Sequence, residues 1–215
     1  MGTGRSLGII AGVLILWTVP LSAGTITDLF DTGVGNNGVA LPNGTSPDPH
    51  YTIITGSDGS VASSTTVYNS PYWFPGTATA AWITPSAGYT NYFMPIGYYD
   101  YLTTFTLPSG ADSVAISAYV GTDDPGDAIF LNGESLGVPP YGGFYPYNYI
   151  PISFGGGDVL VGTNTLVFQV YNDGGPTGLF VGGVSGTYTT IPEPSCVGLL
   201  SIIGSLILVR RGRRR

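Results

Sequence analysis

The 215-residue chain carries 34 glycines, 17 prolines and 15 tyrosines but only 9% charged residues, with a formal net charge of −7, and it is long enough for one domain with a sizeable core. Its cations are Arg5 and five arginines beyond residue 209, so the acidic body has nothing to neutralise phosphates with and nucleic acid is excluded as a partner. Cys196 is the single cysteine, which excludes an intramolecular disulfide.

The chain opens with Arg5, an apolar run from Leu7 to Val19 and a small-residue exit at Leu21-Ser22-Ala23. A basic start, a greasy run shorter than the ~20 residues that span a bilayer, and a small-residue exit predict a secretory signal peptide over residues 1–23, cut by signal peptidase after Ala23 or Gly24. A retained membrane helix is the competing reading. Residues 24–190 form the expected body. Within it, Gly33 to Asp48 is expected as an ordered loop.

Strand signals follow. Tyr101 to Leu107 alternates large and hydroxylated residues, Ser113 to Val120 places Val114, Ile116, Ala118 and Val120 on one side, and Thr165 to Asn172 places Leu166, Phe168 and Val170 opposite Val167, Gln169 and Tyr171. A period of two over six to eight residues predicts half-buried antiparallel strands. Shorter candidates are Tyr51 to Thr55, Thr65 to Tyr68, Ala80 to Ile83, Ala128 to Leu131, Tyr149 to Phe154 and Leu179 to Tyr188. Asn132-Gly133 offers two residues that tolerate positive φ, the strongest hairpin signal in the chain. Eight or nine strands so spaced predict an all-β antiparallel sandwich or jelly roll.

Chemistry in the body is sparse. His50 is the only histidine, the body holds no lysine or cysteine, and no G-x-S-x-G elbow is present. No catalytic residues are assigned, and His50 is expected to be a turn histidine bonded to its neighbouring loop. Asp123, Asp124 and Asp127 are the densest acidic group. They are read either as oxygen ligands for calcium or as a solvated turn capped by its own aspartates. Tyrosine-rich groups occur at Tyr68 to Phe74, Tyr89 to Tyr101 and Tyr141 to Tyr149. Each can cap a sandwich end or present rings to a sugar, and Tyr141, Phe144, Tyr145, Tyr147 and Tyr149 are the candidate ligand-binding set.

The tail, residues 191–215, holds Pro192-Glu193-Pro194, an apolar stretch from Val197 to Val209, and Arg210, Arg211, Arg213, Arg214 and Arg215. Clustered arginine resists translocation and stays on the cytoplasmic side. Tripeptide, short apolar helix and basic cluster in that order resemble the PEP-CTERM sorting tail read by exosortase-type membrane enzymes. The resemblance implies transient anchoring in the inner membrane by the C-terminal helix, cleavage near Pro192 to Pro194, and delivery to the cell surface or extracellular matrix. A second resemblance rests on Val120-Gly-Thr-Asp-Asp-Pro-Gly-Asp-Ala-Ile-Phe-Leu-Asn-Gly133 and on the run from Val161 to Phe180. Joined by Pro47 to Tyr51, Ala81 to Pro85 and Tyr99 to Phe105, these look like the strands of galactose-binding-like jelly rolls. Together the two resemblances imply a non-catalytic exported surface or matrix protein. The alternative is a carbohydrate-binding module recognising exopolysaccharide or other glycans, and a hydrolase is the third, least supported, reading.

Overall fold

Alternating apolar and hydroxylated residues build two antiparallel sheets. The computed structural model describes residues 22–55, 63–86, 93–137, 143, 150–155 and 159–190. The first sheet contains β1 (Ser22–Thr25), β4 (Thr66–Val67), β5 (Ile83–Thr84), β7 (Ala111–Asp123), β10 (Ile150–Phe154) and β12 (Gly178–Thr190). The second contains β2 (Thr52–Thr55), β3 (Ser63–Ser64), β6 (Gly97–Leu107), β8 (Gly126–Leu131), β9 (Glu134–Ser135) and β11 (Gly162–Asn172). The first runs β10-β7-β12-β5-β4, with β1 also paired to β12, and the second runs β3-β2-β6-β11-β8-β9. The described residues belong to one compact unit, Ser22–Glu193. The expected signal helix lies outside them except for its last two residues, Ser22 and Ala23, which are in β1. The C-terminal apolar helix and the sorting residues Pro192, Glu193, Pro194 and Arg210 to Arg215 also lie outside.

The core lies between the sheets, as the parity of each strand predicts. Val114, Ile116, Ala118 and Val120 of β7 are buried on the inner face, and so are Leu166, Phe168 and Val170 of β11 across the interior. Tyr99, Tyr101 and Phe105 of β6 complete that face. Each buried Val, Ile, Leu or Phe among them contributes about 1.5–3 kcal/mol on leaving water, which makes this inner layer the main source of stability. A one-residue slip of β6 or β11 would turn the layer outward, so burial fixes their register.

Local chemistry sets the turns. Asn132 and Gly133 sit at φ 53° and 86° between Leu131 and its partner Glu134, forming the two-residue hairpin loop that joins β8 to β9. The Asn132 side chain also accepts from Thr165 N at 2.9 Å and donates to Asn164 Oδ1 at 2.9 Å, tying the turn to β11. The loop from Gly33 to Asp48 is ordered by its last residue. Buried Asp48 accepts from the backbone N–H of Gly33 at 2.6 Å, His50 at 2.7 Å and Tyr51 at 3.1 Å.

Two predicted strands shrink. Thr65 to Tyr68 and Ala80 to Ile83 reduce to Thr66–Val67 and Ile83–Thr84. The intervening residues are drawn into an aromatic cluster on the outer face of the first sheet, where Trp73, Phe74, Trp82 and Phe180 are buried together. Trp73 and Trp82 are 4.5 Å apart by ring centroid, and Phe74 and Phe180 meet edge to face at 4.9 Å. The rings descend onto strand backbone because Gly121 and Gly178 lie beneath them. A Cβ at either position would come within 2.7 Å of Phe74 or Trp73, respectively.

Candidate functional site

On the outer face of the second sheet, β6 presents Tyr98, Asp100 and Leu102, and β11 presents Tyr171, Gln169 and Val167. The register puts Tyr98 opposite Tyr171, Asp100 opposite Gln169 and Leu102 opposite Val167. Tyr98 is 43% exposed and Tyr171 38%, with ring centroids 5.0 Å apart at 62°. Such edge-to-face contact holds two rings at fixed orientation without hiding them. Behind them, Gln169 Nε2 donates to Asp100 Oδ1 at 2.8 Å. Asp127 of β8 stands beside Tyr98, and its charge, with a hydrogen bond from the phenol, raises the Tyr98 pKa. The hydroxyl therefore stays neutral.

The adjoining segment is equally well held. Asn172 Nδ2 donates to the carbonyls of Met94 at 3.1 Å and Pro95 at 2.9 Å, while the Tyr99 hydroxyl donates to Pro95 O at 3.0 Å. Phe93 and Ile96, just before β6, are exposed. The surface thus offers ring faces flanked by carboxylate and amide groups on rigid strands. It suits a ligand that is apolar on one side and rich in hydroxyls at its edge.

Strand parity divides the second tyrosine group of the sequence. Tyr99 and Tyr101 point inward and are buried, whereas Tyr98 points outward. Tyr171, on the outward side of Thr165 to Asn172, is its partner. The signal for both was the period-two parity, but which outward residues meet is a matter of register.

The acidic turn separates into different roles. Asp123 is buried rather than solvated, with Oδ2 accepting from Trp73 Nε1 at 2.6 Å. Burial, reinforced by the charges of Asp124 and Asp173 against the pull of the indole donor, raises its pKa to about 7. Asp124 Oδ2 accepts from Asp173 N at 2.9 Å, while Asp127 belongs to the Tyr98 edge. The turn is closed by Thr122, whose Oγ1 accepts from Gly126 N at 2.9 Å, which corrects the expectation of a solvated, aspartate-capped turn. Among the described residues no group of three His, Cys, Asp or Glu side chains is placed to hold a metal ion.

His50 stacks on Phe30 with ring centroids 3.6 Å apart at 7°, and its backbone N–H donates to Asp48. This is the turn position expected for it. Its buried Nε2 has no hydrogen-bond partner among the described residues. The first aromatic group is mostly a cap, since Trp73 and Phe74 are buried and only Tyr72 of its core triplet is widely exposed. Tyr141, Phe144, Tyr145, Tyr147 and Tyr149, the candidate ligand-binding set, lie outside the described residues.

No protein-family model matches the chain, and no curated protein matches it. Among solved structures, it is similar to the native structure of a family 35 carbohydrate binding module from Clostridium thermocellum. That likeness has a TM-score of 0.34 and 12% identity, and covers 64% of this chain and 96% of that one. It is also similar to a crystal structure of exo-beta-1,3-galactanase from Phanerochaete chrysosporium with beta-1,3-galactotriose, with a TM-score of 0.32 and 12% identity over 70% of this chain and 30% of that one. Neither likeness is close enough to transfer a ligand or an activity.

Proposed function

We propose that the body is a non-catalytic glycan-binding sandwich of the galactose-binding-like kind, carried by an exported protein, and that the Tyr98–Tyr171 face is where a sugar chain rests. The observation that carries this reading is the pair itself: two touching, half-exposed tyrosines on neighbouring strands, backed by the Asp100–Gln169 hydrogen bond and edged by Asp127. The C–H face of a pyranose lies flat on an aromatic ring, and its equatorial hydroxyls reach outward to carboxylate and amide groups. Holding the platform on strands rather than loops lowers the ordering cost of binding.

Charge narrows the ligand class. With no lysine or arginine from residue 6 to residue 209, the body repels sulfated, phosphorylated or uronate-rich polymers, which points to neutral glycans. The export half of the proposal rests on the order of motifs in the tail: a Pro192-Glu193-Pro194 tripeptide, an apolar stretch and terminal arginines, read by an exosortase-type enzyme after a signal peptidase has removed residues 1–23.

Calorimetric titration of the purified protein with neutral hexose oligosaccharides tests the binding half. Tyr98→Ala and Tyr171→Ala are each expected to weaken binding about tenfold, the worth of one stacking contact. Unchanged affinity in the double variant would remove the face from consideration, and a wild-type protein that binds no neutral glycan would end the reading. Mass spectrometry of the protein recovered from the cell surface tests the other half. Neither residues 1–23 nor Arg210 to Arg215 should remain.

A further inference from the structure

The outer face of the first sheet carries a second surface of the same chemistry. Register places Ser153 of β10 opposite Ser117 of β7, and Ser117 opposite Ser185 of β12, so three exposed hydroxyls stand in one row across three strands. In the adjoining row, Pro151 lies opposite Tyr119 and Tyr119 opposite Gly182. Neighbouring strands are about 4.8 Å apart at the backbone, and the two rows are about 7 Å apart along the strands. That separation lets one sugar ring lie against the aromatic row while its hydroxyls reach the serine row.

The surface is recessed as well as polar. A bulge interrupts the β12 register between Gly182 and Ser185, and Gly183 sits there at φ 63°. Both Asp31 oxygens hold the bulge, accepting from Gly183 N at 3.0 Å and Val184 N at 2.7 Å. A Cβ at Gly183 would lie 3.5 Å from the Tyr119 ring, so glycine leaves the ring's flank open. Tyr119 is 49% exposed over a groove of about 220 Å³ that its ring, Pro151, Gly183 and the Ser117 and Ser153 side chains help to line. Ser117 and Ser185 hydroxyls are 3.1 Å apart, and a bonded pair of hydroxyls still has one proton and several lone pairs to offer a ligand.

We infer that this groove is a second contact for neutral glycan, on the sheet opposite the Tyr98–Tyr171 face, so that one domain grips two chains and cross-links them. The inference rests on the glycan-binding reading above and adds its valency. Two weak contacts on opposite sheets multiply into firm retention on a polymer with many copies of the ligand.

Calorimetric titration of the full chain with gluco-, galacto- and manno-configured neutral oligosaccharides separates the two ideas. Wild type is expected to bind two equivalents. Tyr98→Ala/Tyr171→Ala and Tyr119→Ala should each bind one, and the triple variant should bind at least tenfold more weakly than either. Ser117→Val, a strand-compatible change that removes the central hydroxyl, should reproduce the loss caused by Tyr119→Ala with unchanged near-ultraviolet dichroism, which guards against misfolding. One equivalent in wild type, abolished by Tyr98→Ala/Tyr171→Ala and untouched by Tyr119→Ala, overturns the second contact and leaves the first standing. One equivalent abolished only by Tyr119→Ala and Ser117→Val upholds the groove as a binding site and overturns both the other face and the cross-linking. No binding by wild type overturns both sites.

Discussion

The Trp73 indole donates to the Asp123 carboxyl at 2.6 Å, joining a cap residue to the end of β7 across 50 positions of sequence. Both groups are buried, so each is the other's substitute for water. Asp123 holds its proton up to about pH 7 in the fold, against an ordinary value of 3.8. The folded state therefore binds that proton more tightly than the unfolded state. Its stabilising contribution is full below about pH 3.8 and is lost as pH rises through 7. Asp123→Asn keeps an acceptor for Trp73 and removes the charge. It should be more stable than wild type at pH 8 by on the order of 2 kcal/mol, with the difference fading towards pH 4. Thermal melts of both proteins across that range check it, and parallel curves would refute the role given to Asp123.

Trp73→Phe leaves the carboxyl buried with its donor gone. Removing one partner of a buried hydrogen bond costs about 1–3 kcal/mol, and more when the remaining group is charged. Urea unfolding should therefore show a larger loss at pH 8 than at pH 5. A loss independent of pH would mean that the indole matters only as bulk in the aromatic cap.

Asp48 poses the opposite case, a carboxyl surrounded by donors. Burial holds its pKa above the ordinary carboxylate value, although the N–H groups of His50, Gly33 and Tyr51 pull it down. Asp48→Ala strands three backbone donors at once and is expected to destabilise by about 3 kcal/mol or more. Amide exchange should quicken at Gly33 and Tyr51 before it does so in β11.

Two glycines separate space from backbone conformation. Gly121→Ala drives a Cβ to 2.7 Å from Phe74 and should cost about 1–3 kcal/mol by overpacking. Gly133→Ala meets nothing within 4 Å but must hold φ 86°, for a loss of about 1 kcal/mol. Denaturant titration that reverses this order would show that the aromatic cap yields easily.

What sequence made legible was whatever repeats locally. The parity of Ser113 to Val120 and Thr165 to Asn172 named the core residues of two long strands, and Asn132-Gly133 named its own hairpin. Short strands were less readable, because Thr66–Val67 and Ile83–Thr84 are set by what they pack against rather than by any period. The candidate site was legible only in halves. Tyr98 and Tyr171 each carried the outward parity of its strand, yet their contact depends on an eleven-residue register between segments far apart in sequence. The Ser153–Ser117–Ser185 row is likewise invisible until three strands are laid side by side. The burial of Asp123 could not be foreseen either, since an aspartate before a proline-glycine turn normally stays in water.

One pairing at the rim has a mechanical meaning. Ser22 lies opposite Thr190, and Thr190 opposite Ala111, which follows the Pro108 to Gly110 turn that carries the chain from the end of β6 far from Tyr98 over to the first sheet. The incoming and outgoing polypeptide therefore share one corner of the body. The tyrosine pair, at the opposite end of β6, is thereby kept clear of the corner where the chain enters and leaves the body.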